Sequence, residues 1–561
     1  MGHLELIDYL IFLIYFILVS SYGYWVYHKK KKAISDTKDF FLAEGSLTWW
    51  AIGASLIASN ISAEQFIGMS GEGFYVGIAI SAYEWVAAIA LIIIAVWFMP
   101  IYLKNRIYTM PQFLKTRYNE SVALIMAIFW LFLYVFVNLT SILYLGSVAI
   151  HGLVGGQSFH IIMIGLALFA LIITLGGMKV IGYTDVIQVA VLIVGGLATT
   201  YLALTVVSEK FGLDGSAWAG FNFLMHDSPE HFKMILNKPA VDAPQVEIGR
   251  YLIIPGIAMY FAGQWIVHLN YWGCNQYITQ RALGADLQTA RTGILFAGLL
   301  KLMMPVIVML PGIAAYVLYK NGHLPQLAGG SKDGAYSAIL GFLPSGLKGL
   351  SVAALTAAIV ASLAGKANSI STIFTLDIYK KYLKADASEK SLVWVGRITV
   401  WAAMIIALFF TWDDVLGIGG EGGFTFIQKY TGFISPGVFA MFILGMFWKR
   451  TTGAAAVVGV ITGFTLSVLF NNYAPAWFGH ETILYTAYPN GKGGFEIPFL
   501  ICMGWSFFFT ALIMVVVSLS GPKINPKAFI FEAGMFKISQ GTKVMIIITL
   551  ILLTALYIKF W

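Results

Sequence analysis

Apolar residues run along the chain in long blocks separated by Gly, Pro and clusters of charge, without the alternation of strands or the wide polar faces of surface helices. Fourteen blocks are predicted as helices: 4–27, 47–70, 74–102, 120–153, 158–176, 181–207, 250–273, 286–320, 339–379, 391–411, 424–447, 452–472, 495–519 and 541–560. A helix crossing a bilayer needs about 20 mostly apolar residues. Nearly every block meets that length, and those beyond about 25 must tilt, kink or project from the membrane. The expected class is an all-α polytopic membrane protein.

Composition points the same way. Of the 561 residues, 59% are hydrophobic and 11% charged, against roughly 45–50% and about 25% in soluble domains. A soluble globular enzyme is excluded. Most Lys and Arg fall in alternate connections, at Lys29–Lys38, Lys104–Arg117, Lys179, Arg281 with Arg291, Lys380–Arg397, Lys449 with Arg450, and Lys523–Lys543. The positive-inside rule places those connections in the cytoplasm. An even number of spans then puts both termini outside, with the protein in the cell (inner) membrane. The net charge of +8 therefore reads as basic loops against an anionic leaflet, and no basic run suggests nucleic acid as a partner. Cys274 and Cys502 sit in or beside apolar stretches and read as buried thiols. The first block lacks a basic leader and a small-residue cleavage site, so it is expected to be a retained helix.

The interruptions carry more than the count. The run Ala54 to Gln65, with Ser55, Ser59, Asn60, Ser62 and Glu64 inside it, places polar groups at mid-membrane depth; Gly263 to Gly273, with Gln264, His268 and Asn270, does the same. Five helices separate the two starts. That spacing fits two inverted five-helix repeats, each opening with a broken helix. The expected organisation is a first helix and basic loop over 1–46, a first repeat over 47–207, an external loop over 208–249, a second repeat over 250–448, and three further helices over 449–561.

A helix break inside a bilayer is tolerated only where it lines a cavity or is buried in protein. Carbonyls freed there are hard oxygen donors, and with hydroxyls such as Ser362, on the small-residue stretch Ala357–Gly365, they could hold a dehydrated Na⁺. The competing reading of Ser362 is close helix packing. Ionisable residues in spans are functional candidates by default, which selects Glu84 and Lys301; these could also snorkel or pair with each other. A carboxylate that accepts and an ammonium that donates suit a polyol. Gln65 and Gln428 add amides, and Tyr83, Tyr271, Trp272 and Phe424 could cover the C–H faces of a sugar ring or simply pack helices. His268 could bond substrate, carry a proton or pack. Asp185, near the cytoplasmic start of the sixth helix, reads as a solvated cap, with an ion ligand as the alternative. Gly417–Gly422 fits GxGxxG by letters but follows no strand, and no Walker A, HExxH or paired CxxC occurs. No enzymatic activity and no organic cofactor are expected.

The run Ala54 to Gly71, with Tyr83-Glu84-Trp85, Asn275-Gln276-Tyr277, Gln280-Arg281 and Phe447-Trp448-Lys449-Arg450, resembles the solute:sodium symporter family over residues 40–470. The resemblance implies a LeuT-like core and Na⁺-driven import of a monosaccharide, galactose or glucose. Carried over by position, Gln65, Glu84, Lys301 and Gln428 would contact sugar. Tyr271 would form the inner gate, and Met69, Tyr83 and Phe424 the outer one. Sodium would lie at the carbonyls of Ala58, Ile61 and Ala358 and the hydroxyl of Ser362. Positions that bond sugar through asparagine and serine in the family are His268 and Ala87 here, which opens the choice of sugar. The first sodium-site serine is Ala361, so one hydroxyl ligand is missing unless its carbonyl or a water substitutes. The rival readings are Na⁺ symport of another solute such as myo-inositol, or an ion channel or proton-coupled membrane subunit. The scarcity of ionisable groups counts against the latter.

Overall fold

The computed structural model describes residues 4–29, 47–154, 159–324, 327, 332–418, 423–478 and 480–561. The helices that organise it are α1 (Leu6–Lys29), α2 (Trp49–Asn60), α3 (Ser70–Tyr75), α4 (Ala82–Ile93), α5 (Phe159–Thr174), α6 (Gly177–Lys210), α7 (Gln264–Cys274), α8 (Leu287–Val308), α9 (Leu347–Thr372), α10 (Glu389–Thr411), α11 (Gly423–Gly432) and α12 (Ser435–Phe447). Among the described residues, ten helices are long and apolar enough to cross a membrane, or up to twelve if each sharply bent pair is one span. That measure does not count two of the fourteen predicted blocks. The block at 158–176 yields only the 16 residues of α5, and the block at 47–70 is broken. The block at 339–379 divides into a short helix, Ala335–Leu340, and α9. Much of the expected basic loop at 30–46, and positions 419–422 of the GxGxxG-like stretch, lie outside the described residues.

The chain forms two compact units. One comprises residues 1–81, 127–233 and 280–427; the other comprises 82–126, 234–279 and 428–561. Helix α9 is the axis of the first unit's core: of its 26 residues only Leu347 and Leu350 are not buried. Its small side chains let neighbours approach to backbone distance. A Cβ on Gly195 of α6 would come within 2.8 Å of the Ala354 Cβ, so the two helices touch with no room for a methyl group. The N-terminus of α9 starts at Gly346, which has φ +88° and offers no capping side chain. The buried carboxylate of Asp8 on α1 takes that role, accepting from the amides of Gly346 and Gly349 at 2.7 Å each. A carboxylate at a helix N-terminus meets both the orphan amides and the positive end of the macrodipole.

In the second unit, α12 ends in the Phe447-Trp448-Lys449-Arg450 motif. The buried guanidinium of Arg117 donates to three carbonyls at and beyond this end: Gly445 at 2.6 Å, Trp448 at 3.1 Å and Thr451 at 3.1 Å. Burial lowers the pKa of Arg117, while the neighbouring Tyr118 opposes the shift. The stretch expected as an external loop, 208–249, contains the helix Ala217–Asp227 and a short turn of helix at Pro229–Phe232.

Candidate functional site

Helix α2 winds regularly as far as Asn60, where Ile61 swings to φ −82°, ψ 108° and the ladder stops. The next amides are redirected. Ser62 N–H would close onto the Ala58 carbonyl in a continuous helix; it donates instead to Gln65 Oε1 at 2.9 Å. Glu64 N–H turns from the Asn60 carbonyl to Ser62 Oγ, 3.1 Å away. Gln65 N–H turns from the Ile61 carbonyl to that of Ser62, also at 3.1 Å. The chain re-forms as a π-helical turn over Glu64–Met69 and continues into α3. Polar side chains thus sustain the break, and the carbonyls of Ala58, Asn60 and Ile61 lose their helical donors. The sequence-predicted break stands where expected.

Helix α9 closes this place off. Ser362 Oγ donates to the Ser59 carbonyl at 2.8 Å, and Ala358, Ala361 and Ser362 are all buried. Ser59 Oγ is buried with no hydrogen-bond partner among the described residues. The first unit thus brings the Ser362 hydroxyl to the Ser59 carbonyl beside the break, and both are oxygen donors of the kind a hard cation takes. The five residues expected at a sodium site (Ala58, Ile61, Ala358, Ala361 and Ser362) lie on these two helices and the break between α2 and the π-turn.

Charged groups surround the break, and one overturns an expectation. Asp185 is fully buried two turns into α6, not a solvated cap. Its Oδ2 accepts from Ser55 Oγ at 2.5 Å and lies 3.7 Å from Arg281 Nη2. Arg281 Nε donates to the Ser55 carbonyl and hydroxyl, at 3.0 and 2.8 Å. Gly365 leaves the guanidinium its space, since a Cβ there would collide with Nη2. Lys301 donates to Asn60 Oδ1, and Lys366 lies 3.5 Å from Glu64. These partners went unnoticed in the sequence. The available signal was the presence of Arg281 and Lys366 beside or within apolar stretches.

The remaining expected residues divide between the units. In the first, Gln65 spends its carbonyl oxygen on the break, accepting from Ser62 N–H and Oγ, and keeps its amide end. Phe424 packs on the backbone next to Met69, with its Cβ 2.7 Å from where a Cβ on Gly68 would stand. One turn on, buried Glu72 accepts from Lys332 at 2.5 Å and from Thr425. In the second unit, Tyr83 and Glu84 occupy the first turn of α4, both buried. The Tyr83 ring meets that of His268 edge-on, centroids 6.1 Å apart, and His268 Nε2 lies 3.2 Å from Gln264 Nε2. Tyr271 accepts from the Tyr277 hydroxyl and meets the Trp272 ring edge-on at 5.2 Å. Gln428 is half-buried on α11.

The second break is displaced from its expected position. The polar run after Gly263 is the continuous helix α7, and the interruptions precede it: Gln245–Ile253 and Ala258–Phe261 are separate helices, and the stretch 245–261 meets α7 at 80° across Ala262-Gly263. Pro255 and Gly256, the latter at φ +48°, end the helix Gln245–Ile253, since proline lacks an amide and positive φ suits glycine.

The model of the Sodium:solute symporter family matches residues 40–463. The sodium/glucose cotransporter of Vibrio parahaemolyticus is 42% identical over the whole of this chain and 99% of its own length. The dog sodium/myo-inositol cotransporter is 32% identical, covering 92% of this chain and 74% of the relative. Among solved structures, a Na⁺-coupled sialic acid symporter superposes with TM-score 0.74 at 19% identity, covering 93% of this chain and 99% of that one; at that identity the likeness speaks for the LeuT-like fold.

Proposed function

The chain belongs to the Sodium:solute symporter family, a multi-pass membrane transporter and not an enzyme, and from that premise we propose that it imports glucose together with Na⁺ by alternating access. The observation that carries the reading is the redirected hydrogen bonding at residues 58–65, which frees carbonyls beside the Ser362 hydroxyl. Sodium bound at Ala58, Ile61, Ala358 and Ser362, with the Ala361 carbonyl in place of a second hydroxyl, favours an outward-open state. The family resemblance assigns the sugar hydroxyls to Gln65, Glu84, His268, Lys301 and Gln428. Tyr271 and Trp272 gate the inner side; Met69, Tyr83 and Phe424 gate the outer. Both termini lie outside.

The driving force suffices. One Na⁺ crossing 100 mV supplies about 2.3 kcal/mol and a tenfold gradient about 1.4 kcal/mol, enough for roughly 500-fold accumulation of a neutral solute. Glucose is the solute named for the 42%-identical relative. Myo-inositol is the second reading, favoured by the relatives named as its cotransporters and by the two altered sugar positions, Ala87 and His268. Uptake of labelled glucose, galactose and myo-inositol into proteoliposomes separates these. Glucose should accumulate in NaCl and not in choline chloride; accumulation indifferent to choline overturns sodium coupling, and preference for myo-inositol overturns the sugar assignment.

A further inference from the structure

Helix α5 is short for a membrane segment. Its 16 residues rise about 24 Å, against a hydrocarbon core of about 30 Å. Its neighbours in the same unit, α1 with 24 residues and α10 with 23, rise about 35 Å. The chain turns from α5 into α6 at Leu175–Gly176, and the walls continue past the turn. A cavity of about 800 Å³ opens there, lined by α1 from Val19 to Tyr24, the end of α5, the start of α6, and α10 from Trp394 to Trp401. Its mouth carries exposed apolar side chains, among them Tyr24, Ile172, Trp394 and Ile398.

We propose that this cavity holds the acyl tail of an anionic glycerophospholipid, whose phosphate lies on Arg397. The tail supplies the apolar volume that the short helix leaves out, and the burial of its methylenes favours binding. Three features of the rim select the headgroup. Arg397 lines the cavity, and Lys390, one heptad earlier on α10, lies on the same helix face. Trp394 and Trp401 continue that stripe with rings suited to the interface. Ser20, also in the lining, has its hydroxyl buried with no hydrogen-bond partner among the described residues, and it offers a donor to an ester carbonyl or phosphate oxygen. Basic pockets between membrane helices on the side of the basic connections are places where anionic headgroups bind.

The test uses the purified full-length protein, delipidated in detergent and offered equimolar dioleoylphosphatidylglycerol and dioleoylphosphatidylcholine, with retained lipid read by native mass spectrometry. The wild type should retain phosphatidylglycerol preferentially. Arg397→Gln should cut that preference about fivefold, the ratio equivalent to about 1 kcal/mol per basic residue, and Arg397→Lys should keep it. Ser20→Phe, which fills the cavity, should lose both lipids while eluting as a folded monodisperse species on size exclusion. Equal retention of the two lipids by the wild type, or a preference that survives Arg397→Gln, overturns the proposal.

Discussion

Ser362→Ala tests the sodium site with a single atom. The Oγ is fully buried and donates 2.8 Å to the Ser59 carbonyl, so the substitution removes one neutral hydrogen bond, about 1 kcal/mol of stability. It also removes one oxygen from the cation. An interaction with a charged group is worth about 1.5–3 kcal/mol, equivalent to about a 10- to 150-fold rise in the Na⁺ concentration for half-maximal uptake. The Ser59 carbonyl, relieved of its donor, can turn toward the ion and recover part of that loss, which puts the expectation near the lower end, about tenfold. The assay is a sodium titration of glucose uptake in proteoliposomes at constant ionic strength with choline. The reciprocal change, Ala361→Ser, sharpens the sign. Position 361 is fully buried, so a new hydroxyl without a partner costs about 1–3 kcal/mol, and sodium supplies the partner. That variant should melt earlier than wild type in choline chloride, regain the difference in NaCl, and reach half-maximal uptake at lower Na⁺. A Ser362→Ala curve superposed on wild type, or an Ala361→Ser melting deficit that sodium leaves unchanged, would refute the placement of the cation.

Two further expectations concern other buried groups. Glu84→Ala and Gln428→Ala should each abolish glucose uptake while preserving a monodisperse size-exclusion peak; transport at the wild-type rate in either removes that residue from the sugar pathway. Asp185→Ala strands the Arg281 guanidinium in the core, and breaking a buried pair costs about 3–5 kcal/mol. Its melting temperature, followed by tryptophan fluorescence, should therefore fall well below that of Asp185→Asn, which keeps an acceptor for the Ser55 hydroxyl. Equal melting of the two variants would show that the acceptor facing the Ser55 hydroxyl contributes nothing.

The helix ends were largely readable from the chain, because length and hydropathy fix where an apolar segment can begin and stop. The expected 391–411 and 495–519 are Glu389–Thr411 and Phe499–Leu519. The first break was readable from its polar residues, since Ser62 and Gln65 are the groups that satisfy the redirected amides. The second was misplaced because the polar residues of α7 drew the assignment, while the interruptions lie before it, at Pro255-Gly256 and at the 80° bend across Ala262-Gly263. Asp185 was misread because α6 is apolar on nearly every face, so nothing in its own sequence shows which face meets α2. Likewise, the guanidinium that pairs with it is 96 positions away, and linear spacing carries no record of that meeting. The grouping of segments into compact units follows tertiary contact and cannot be read from a hydropathy profile.

The interleaving of those segments has a consequence for biosynthesis. The ribosome delivers Ser55 and Asp185 well before Arg281. At 5–20 residues per second, the wait is roughly 5–20 s. Throughout it, a carboxyl group already threaded into the translocon or the lipid has its serine neighbour but no cation. The first unit gathers its last strip of sequence only when residue 427 has been made. Nascent chains halted before position 281 should accordingly be held by membrane-embedded quality control, and released from it once that arginine emerges.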